Sequence, residues 1–343
     1  MANLLFVVGS TGGHLYPAIS LIPETQNRKH EYIILAPENI KNKIKNIDQE
    51  KTFFQKEFSL RKISSYKNIL NNLDTSLDIM KKVDVVISFG SIYSAIPSII
   101  AKFKNKKLIL MEQNALPGRA TRLLSSLAHL TILPFEESLK YIKSRKTLIM
   151  LSPIREDILK IKSENLENNN KTILFFGGSL GSKTINNLAI NFLLSLNKYS
   201  FPLKQVKIIT GIKLFNEFNN QLKEIKNSLP KDLEIKIQDY ESDMAKAYKE
   251  SFIVVSRAGG STIAELLFLK KRAIVIPYPY ALDNHQLYNA KTAKNYTNFI
   301  EYLEEPVNID EFFKKLEFLI ECKPVYLKEV KFFDYDKFFN YLQ

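Results

Sequence analysis

Short apolar runs of four or five residues alternate along the chain with longer stretches whose apolar positions recur three or four apart. That is the rhythm of strands followed by helices around a mostly parallel sheet. In the first half, the segments Leu4 to Val8, Tyr32 to Leu35, Val83 to Ser88, Lys107 to Met111 and Thr131 to Leu133 read as strands. In the second half, the strands are Thr172 to Phe176, Val206 to Ile209, Glu234 to Ile237, Phe252 to Val255 and Ala273 to Ile276. Between the halves, Lys162-Ser163-Glu164-Asn165-Leu166-Glu167-Asn168-Asn169-Asn170 has no apolar periodicity to bury and marks a loop near a domain boundary. Each half sends a strand straight into a glycine turn and a helix, at Gly9-Ser10-Thr11-Gly12-Gly13-His14 and at Gly177-Gly178-Ser179-Leu180-Gly181-Ser182. The fold class predicted is α/β, with two Rossmann-like domains facing a cleft.

Composition narrows the class. The 343 residues, 45% hydrophobic and 11% aromatic, suffice for two cored domains. No run approaches the roughly 18 apolar residues of a membrane-spanning helix. Leu4-Leu5-Phe6-Val7-Val8 follows an uncharged Met1-Ala2-Asn3, so it reads as a strand, not as a signal peptide, and secretion is not expected. Cys322 is the single cysteine, which excludes internal disulfides and Cys-cluster metal sites and suits a reducing cytoplasm. Lys and Arg number 49 against 36 Asp and Glu, a net +13 that favours polyanions: nucleic acid, anionic lipid or phosphorylated substrates. Much of that excess is lysine among asparagine and isoleucine, as in Lys41-Asn42-Lys43-Ile44-Lys45-Asn46, which an ordinary solvated surface also explains. No nucleic-acid recognition motif or aromatic-basic interleaving is present, so nucleic acid is not an expected partner.

Glycine turns between strand and helix let the backbone approach a ligand, and exposed N–H groups at the helix start suit an anion. Neither turn fits GxGxxG or GxxxxGK(S/T), which disfavours a nicotinamide oxidoreductase and a P-loop enzyme. His14, at the first helix start, is either a general base or substrate contact near neutral pH, or a structural residue. A third turn, Ser256-Arg257-Ala258-Gly259-Gly260-Ser261-Thr262-Ile263-Ala264-Glu265, places Glu265 one turn inside a helix. There it complements the dipole or accepts both hydroxyls of a ribose. Glu112-Gln113-Asn114-Ala115-Leu116-Pro117-Gly118-Arg119 follows a strand, so it sits at a sheet's carboxyl edge or forms a plain polar turn. Asp283-Asn284-His285-Gln286-Leu287-Tyr288-Asn289-Ala290 offers amides suited to sugar hydroxyls, with Asp283 alternatively a helix N-cap. His30 is expected on the surface and His129 in packing. Asp334-Tyr335-Asp336 has the DxD form of some metal-nucleotide sites, but it lies among Phe332, Phe333, Phe338 and Phe339 and is assigned to packing. With no HExxH and no ligand ladder, neither a metal nor a cofactor is expected.

Taken together these segments resemble MurG, the family of N-acetylglucosaminyltransferases that convert lipid I to lipid II in bacterial peptidoglycan synthesis. The resemblance rests on Gly9 to His14 with Pro17-Ala18, Glu112 to Ala115 with Gly118, Ser152-Pro153-Ile154-Arg155, Gly177 to Gly181, Asp243-Met244-Ala245 with Tyr248, Ser256 to Gly259 with Thr262 and Glu265, and Asp283 to Ala290. It implies a B-type glycosyltransferase fold. Residues 1–153 would form an acceptor and membrane-facing domain and 154–324 a UDP-sugar donor domain, with a final helix at about 325–343 packing back on the first. By motif, Ser179 and Arg155 would contact the UDP region, Glu265 the ribose, and Gly260, Ser261 and Thr262 the donor pocket. Gln286 and Asn114 would hold the sugar, and Thr11, Gly12 and Gly13 would approach it and the diphosphate.

The resemblance further implies inverting transfer of N-acetylglucosamine from UDP-N-acetylglucosamine to the 4-hydroxyl of the muramyl sugar of lipid I. His14 would be the base, with Glu112 assisting or replacing it, and UDP's growing charge would be met by a helix start, backbone N–H groups and Arg155 without a metal. A related B-fold transferase with another nucleotide sugar or lipid acceptor is the alternative. The expected partners are the donor, lipid I, an anionic membrane surface and other cell-wall synthesis proteins, at the cytoplasmic face of the plasma (inner) membrane. Arg61, Lys62, Ile63, Tyr66, Lys67, Ile69, Leu70 and Leu73, with Lys102, Phe103, Lys104, Lys106 and Lys107, would form the peripheral surface. Three departures stand out: Met111 replaces the family's usual histidine, Gly90-Ser91-Ile92-Tyr93-Ser94 replaces a Gly-Gly-Tyr loop, and Glu241 stands where an apolar residue's backbone usually reads uracil.

Overall fold

The computed structural model describes residues 1–342 except 45–46, 59–64, 162–170, 179, 197, 200 and 202. The chain divides into two compact units, Met1–Arg155 with Lys331–Gln343, and Glu156–Val330.

The first unit carries strands β1 (Asn3–Val7), β2 (Glu31–Pro37), β3 (Thr52–Gln55), β4 (Val85–Ser88), β5 (Lys107–Met111), β6 (Leu130–Leu133) and β7 (Thr147–Ile149). Its helices include α1 (Gly12–Asn27), α2 (Tyr66–Met80), α3 (Ala95–Phe103) and α4 (Arg119–Leu124). The second holds α5 (Glu156–Leu159), β8 (Thr172–Phe176), α6 (Lys183–Ser195), β9 (Gln205–Ile209), α7 (Phe215–Ile225), β10 (Glu234–Gln238), α8 (Met244–Glu250), β11 (Ile253–Ser256), α9 (Gly260–Phe268), β12 (Arg272–Val275), α10 (His285–Tyr296), β13 (Ile300–Tyr302) and α11 (Ile309–Glu321). The last helix, α12 (Tyr335–Leu342), belongs to the first unit.

Both sheets are parallel, ordered β3-β2-β1-β4-β5-β6-β7 and β10-β9-β8-β11-β12-β13. Strand order therefore reverses between β1 and β4 in one sheet and between β8 and β11 in the other, the places where loops splay apart and parallel sheets hold ligands. The strands absent from the pattern reading, β3, β7 and β13, are three- or four-residue edges of their sheets. An edge strand packs against one neighbour only, and runs this short carry little periodicity.

The returning helix completes the first core. Phe338, Phe339 and Leu342 are buried with Leu4, Phe6, Ile34 and Ile132. Lys107 Nζ donates to the carbonyls of Tyr341 (3.0 Å) and Leu342 (3.1 Å), satisfying the carbonyl end of α12. Asp334 caps its start by accepting from Lys337 N at 2.8 Å, and Asp336 pairs with Arg28, which accounts for the Asp-Tyr-Asp run as packing and capping. Phe338→Ala is expected to destabilise the first unit by roughly 3–5 kcal/mol, because the lost ring leaves a cavity between sheet and helix. Urea denaturation followed on that unit would show a matching drop in midpoint, and an unchanged curve would mean that α12 is dispensable.

The two isolated histidines exchange the environments expected of them. His30 is 8% exposed: its Nδ1 accepts from Ala2 N at 3.0 Å, its ring stacks on Phe339, and burial holds it below the ordinary histidine range. His129 is exposed and accepts from Leu108 N. The cause for His30 is α12, a partner about 300 residues away that local pattern does not reveal.

One buried charge opposes stability. Lys271, between α9 and β12, is 3% exposed, and desolvation followed by the neighbouring Arg272 charge pushes it down to about 7 from 10.5. Between those values the unfolded chain holds a proton the native chain lacks, so this group's penalty is absent above about pH 10.5 and grows as pH falls to 7. Lys271→Met is expected to stabilise the protein on the order of 3 kcal/mol at pH 7. Paired urea titrations at neutral and alkaline pH check it, since the gain should shrink as pH rises, and an equal gain at both would contradict the cause.

Candidate active site

In the first unit, the turns after β1 and β4 meet at His14. Thr11 is extended and exposed, α1 begins at Gly12, and His14 lies in its first turn with Nδ1 3.1 Å from Thr11 Oγ1. A Cβ on Gly9 would come within 2.4 Å of His14 Nδ1 and 2.6 Å of Ser91 Cβ, so only glycine lets the two turns close on one another. A Cβ on Gly90 would lie 3.7 Å from His14 Nε2 and 3.7 Å from Thr121 Oγ1. His14 thus stands at the switch point of its sheet, where an imidazole can exchange a proton with a bound hydroxyl. With Nε2 as the accepting atom, the ring proton sits on Nδ1 and donates to Thr11 Oγ1, a bond that supports this tautomer.

Glu112 occupies the end of β5 and is only 2% exposed. Its Oε1 accepts from Gln113 N (3.0 Å), Asn114 N (3.0 Å) and Asn114 Nδ2 (3.1 Å), and its Oε2 from Gly118 N (3.0 Å) and Thr121 Oγ1 (2.6 Å). The carboxylate therefore folds the 112–121 turn around itself and presents Asn114, half-buried, at the sheet edge. Met111 points into the first core. Ser91 and Ser94 brace their own turn: Ser91 Oγ accepts from Tyr93 N and Ser94 Oγ donates to Gly90 O. Arg155 ends the first unit with its guanidinium 5.5 Å over the ring of Tyr16 on α1.

The second unit repeats the plan at β8 and β11. Gly181 and Gly211 both have left-handed backbone (φ +76 and +89), and a Cβ on Gly181 would strike Thr210 O at 2.4 Å, so two glycines hold the β8 and β9 turns together. Ser182 caps α6 by accepting from Ile185 N, while Ser179 lies outside the described residues. After β11, α9 starts at Gly260 behind Gly259, with Ser261 and Thr262 half-buried in its first turn. Those N–H groups face the carboxyl edge and suit an anion. Glu265 is 9% exposed, its Oε2 accepting from Tyr248 OH at 2.9 Å. Gln286 Oε1 accepts from Tyr278 N at 3.0 Å and shapes the turn after β12, and Asn284, in left-handed backbone, is the N-cap residue of α10 with no cap bond from its own side chain.

Several supporting groups carry no signal in the sequence. Arg257 donates to the Ile276 and Pro277 carbonyls and pairs with Glu305, tying the β11 turn to the β12 and β13 turns. Glu241 is explained by Lys207: the ammonium, 7% exposed on β9, lies 2.8 Å from Glu241 Oε2, and Gln238 Nε2 and Asp243 N also donate to that carboxylate. The buried cation on the neighbouring strand supplies the counter-charge that this carboxylate needs.

Comparison with known proteins extends these parallels to the whole chain. The model of the N-terminal domain of glycosyltransferase family 28 matches residues 4–132, and that of its C-terminal domain matches residues 172–330. A UDP-N-acetylglucosamine--N-acetylmuramyl-(pentapeptide) pyrophosphoryl-undecaprenol N-acetylglucosamine transferase of Thermoanaerobacter sp. (strain X514) is 31% identical over 94% of this chain and 92% of its own. The chain belongs to glycosyltransferase family 28. A family relative of the same description from Thermodesulfovibrio yellowstonii is 32% identical over 96% of this chain and 92% of its own. The crystal structure of MurG from Acinetobacter baumannii superposes with a TM-score of 0.73 at 22% identity, covering 92% of this chain and 90% of that one. A UDP-GlcNAc 2-epimerase from Methanocaldococcus jannaschii shares the fold at a TM-score of 0.65 and 13% identity, covering 99% of each chain. The architecture is therefore the B-type glycosyltransferase fold, and because an epimerase also uses it, the activity of this family 28 enzyme must be argued from its residues.

Proposed function

We propose that this family 28 glycosyltransferase moves N-acetylglucosamine from UDP-N-acetylglucosamine to the 4-hydroxyl of the muramyl sugar of lipid I, giving lipid II. The observation that carries the reading is the pair His14 and Glu265, each at the switch point of its own sheet, in a chain aligned nearly end to end with transferases of that description. The acceptor belongs to the first unit and the donor to the second. His14 takes the proton of the attacking hydroxyl, and the C4 oxygen bonds to the anomeric carbon as its bond to the UDP oxygen breaks, inverting the centre. The charge gathered on UDP is received by N–H groups at the starts of α6 and α9 and by Arg155, with Gly260, Ser261 and Thr262 lining the donor site. Thr11, Gly12, Gly13, Asn114 and Gln286 bind sugar and diphosphate, and Ser179 contacts UDP. Initial rates with UDP-N-acetylglucosamine against UDP-glucose test donor identity, and equal use of both would defeat the assignment.

A lipid-linked acceptor calls for contact with a membrane, and among the described residues no helix is long and apolar enough to cross one. The reading is therefore peripheral attachment at the cytoplasmic face of the inner membrane. It is supported by Tyr66, Leu70 and Leu73 on α2, and by Ile99 and the 82%-exposed Phe103 on α3, with Lys67, Lys102, Lys104 and Lys106 around them. Lys107 serves α12 instead, and Arg61, Lys62 and Ile63 lie outside the described residues. Leu70→Ser with Phe103→Ser is expected to lower sedimentation with anionic vesicles by about tenfold while leaving vesicle-free donor binding intact. Undiminished sedimentation would move the membrane surface elsewhere.

A further inference from the structure

We infer that Tyr248 is a positioning residue that holds the Glu265 carboxylate to receive the paired hydroxyls of a ribose, and so sets the preference for ribonucleoside over 2′-deoxyribonucleoside donors; this rests on the donor assignment of Glu265. The Tyr248 hydroxyl is fully buried and donates to Glu265 Oε2 at 2.9 Å. Filling the core at this point needs only a phenyl ring, and a buried hydroxyl costs stability unless it is bonded. The hydroxyl is thus explained by what it does to the carboxylate. A glutamate side chain swings about three bonds, and a carboxylate that must accept two O–H groups of a vicinal diol gains selectivity only when its plane is fixed.

Tyr248 is itself held from two sides. Its ring packs edge-on against Phe176 at the end of β8, with centroids 6.0 Å apart. Its helix α8 is anchored at the start, where Asp243 Oδ1 accepts from Lys246 N at 2.8 Å and Glu241 Oε1 accepts from Asp243 N at 2.9 Å. Glu241 is in turn fixed by Lys207, 2.8 Å away on β9. Charge-assisted bonds thus fix Glu241 to strand β9 and the start of α8 to Glu241, and α8 carries the Tyr248 hydroxyl to Glu265, so the carboxylate is held by a group outside its own helix.

The test is steady-state transfer with UDP-N-acetylglucosamine and its 2′-deoxyuridine counterpart, for the intact wild-type enzyme, Tyr248→Phe and Glu265→Gln, with thermal midpoints measured alongside. Wild type is expected to prefer the ribose donor strongly. Tyr248→Phe should cut that preference about tenfold, through a raised KM for the ribose donor with kcat and thermal midpoint nearly unchanged, whereas Glu265→Gln should abolish it. A Tyr248→Phe enzyme with the full wild-type preference, beside a Glu265→Gln enzyme that has lost it, would overturn the positioning role alone. Preference retained in Glu265→Gln would overturn the donor assignment itself and this inference with it.

Discussion

His14→Ala is expected to lower kcat by roughly 10²- to 10⁴-fold, the range that loss of a positioned general base commands. The KM for the donor should move little, since the imidazole acts on the proton of the acceptor hydroxyl and the loss falls on the chemical step. The argument is geometric: the ring sits where the turns after β1 and β4 converge, Gly9 and Gly90 leave room around both ring nitrogens, and Thr11 Oγ1 is 3.1 Å from Nδ1. Thr11→Val provides a graded companion. It removes the acceptor for Nδ1–H, so the tautomer with a basic Nε2 loses its support, and a smaller loss of about tenfold in kcat is expected. Single-turnover rates on matched enzyme preparations would resolve both. A fully active His14→Ala protein would transfer the base role to another group.

Glu112→Gln is expected to cost roughly 3–5 kcal/mol of stability and most of the activity together. The carboxylate accepts from five donors, and an amide in its place offers one acceptor oxygen and turns an N–H₂ toward groups that also donate. Gln113 N, Asn114, Gly118 N and Thr121 cannot all be satisfied, so the turn that carries Asn114 loosens. This outcome separates two roles for Glu112. A group that assists or replaces the base would show a kinetic loss in a protein of normal thermal midpoint, whereas a group that builds the turn shows both losses in proportion. The hydrogen bonds favour the second role, and midpoint and kcat measured on one sample decide it.

The features legible in the sequence are those written in contiguous residues. The α/β class followed from strands such as Lys107–Met111 and Thr172–Phe176, whose apolar runs are buried on both faces, and the glycine turns stood out because each joins such a run to a helix. The placement of His14 and Glu265 at carboxyl edges could be read for the same reason. The network behind them could not. Tyr248 reaches Glu265 across 17 residues, Lys207 reaches Glu241 across 34, and Arg257 reaches Glu305 across 48, each joined only by folding of the sheet. Edge strands β3, β7 and β13 escaped for want of length, and the setting of His30 escaped because the aromatic that covers it comes from the end of the chain. Glu241 looked out of place until Lys207 supplied its counter-charge.

Transfer of labelled N-acetylglucosamine from its UDP donor to a short-chain lipid I analogue, with EDTA present, tests the account most directly. Wild type is expected to form the β-linked disaccharide product, with His14→Ala and Glu265→Ala both severely impaired. A wild-type enzyme that binds UDP-N-acetylglucosamine yet leaves the analogue unglycosylated would contradict the acceptor assignment.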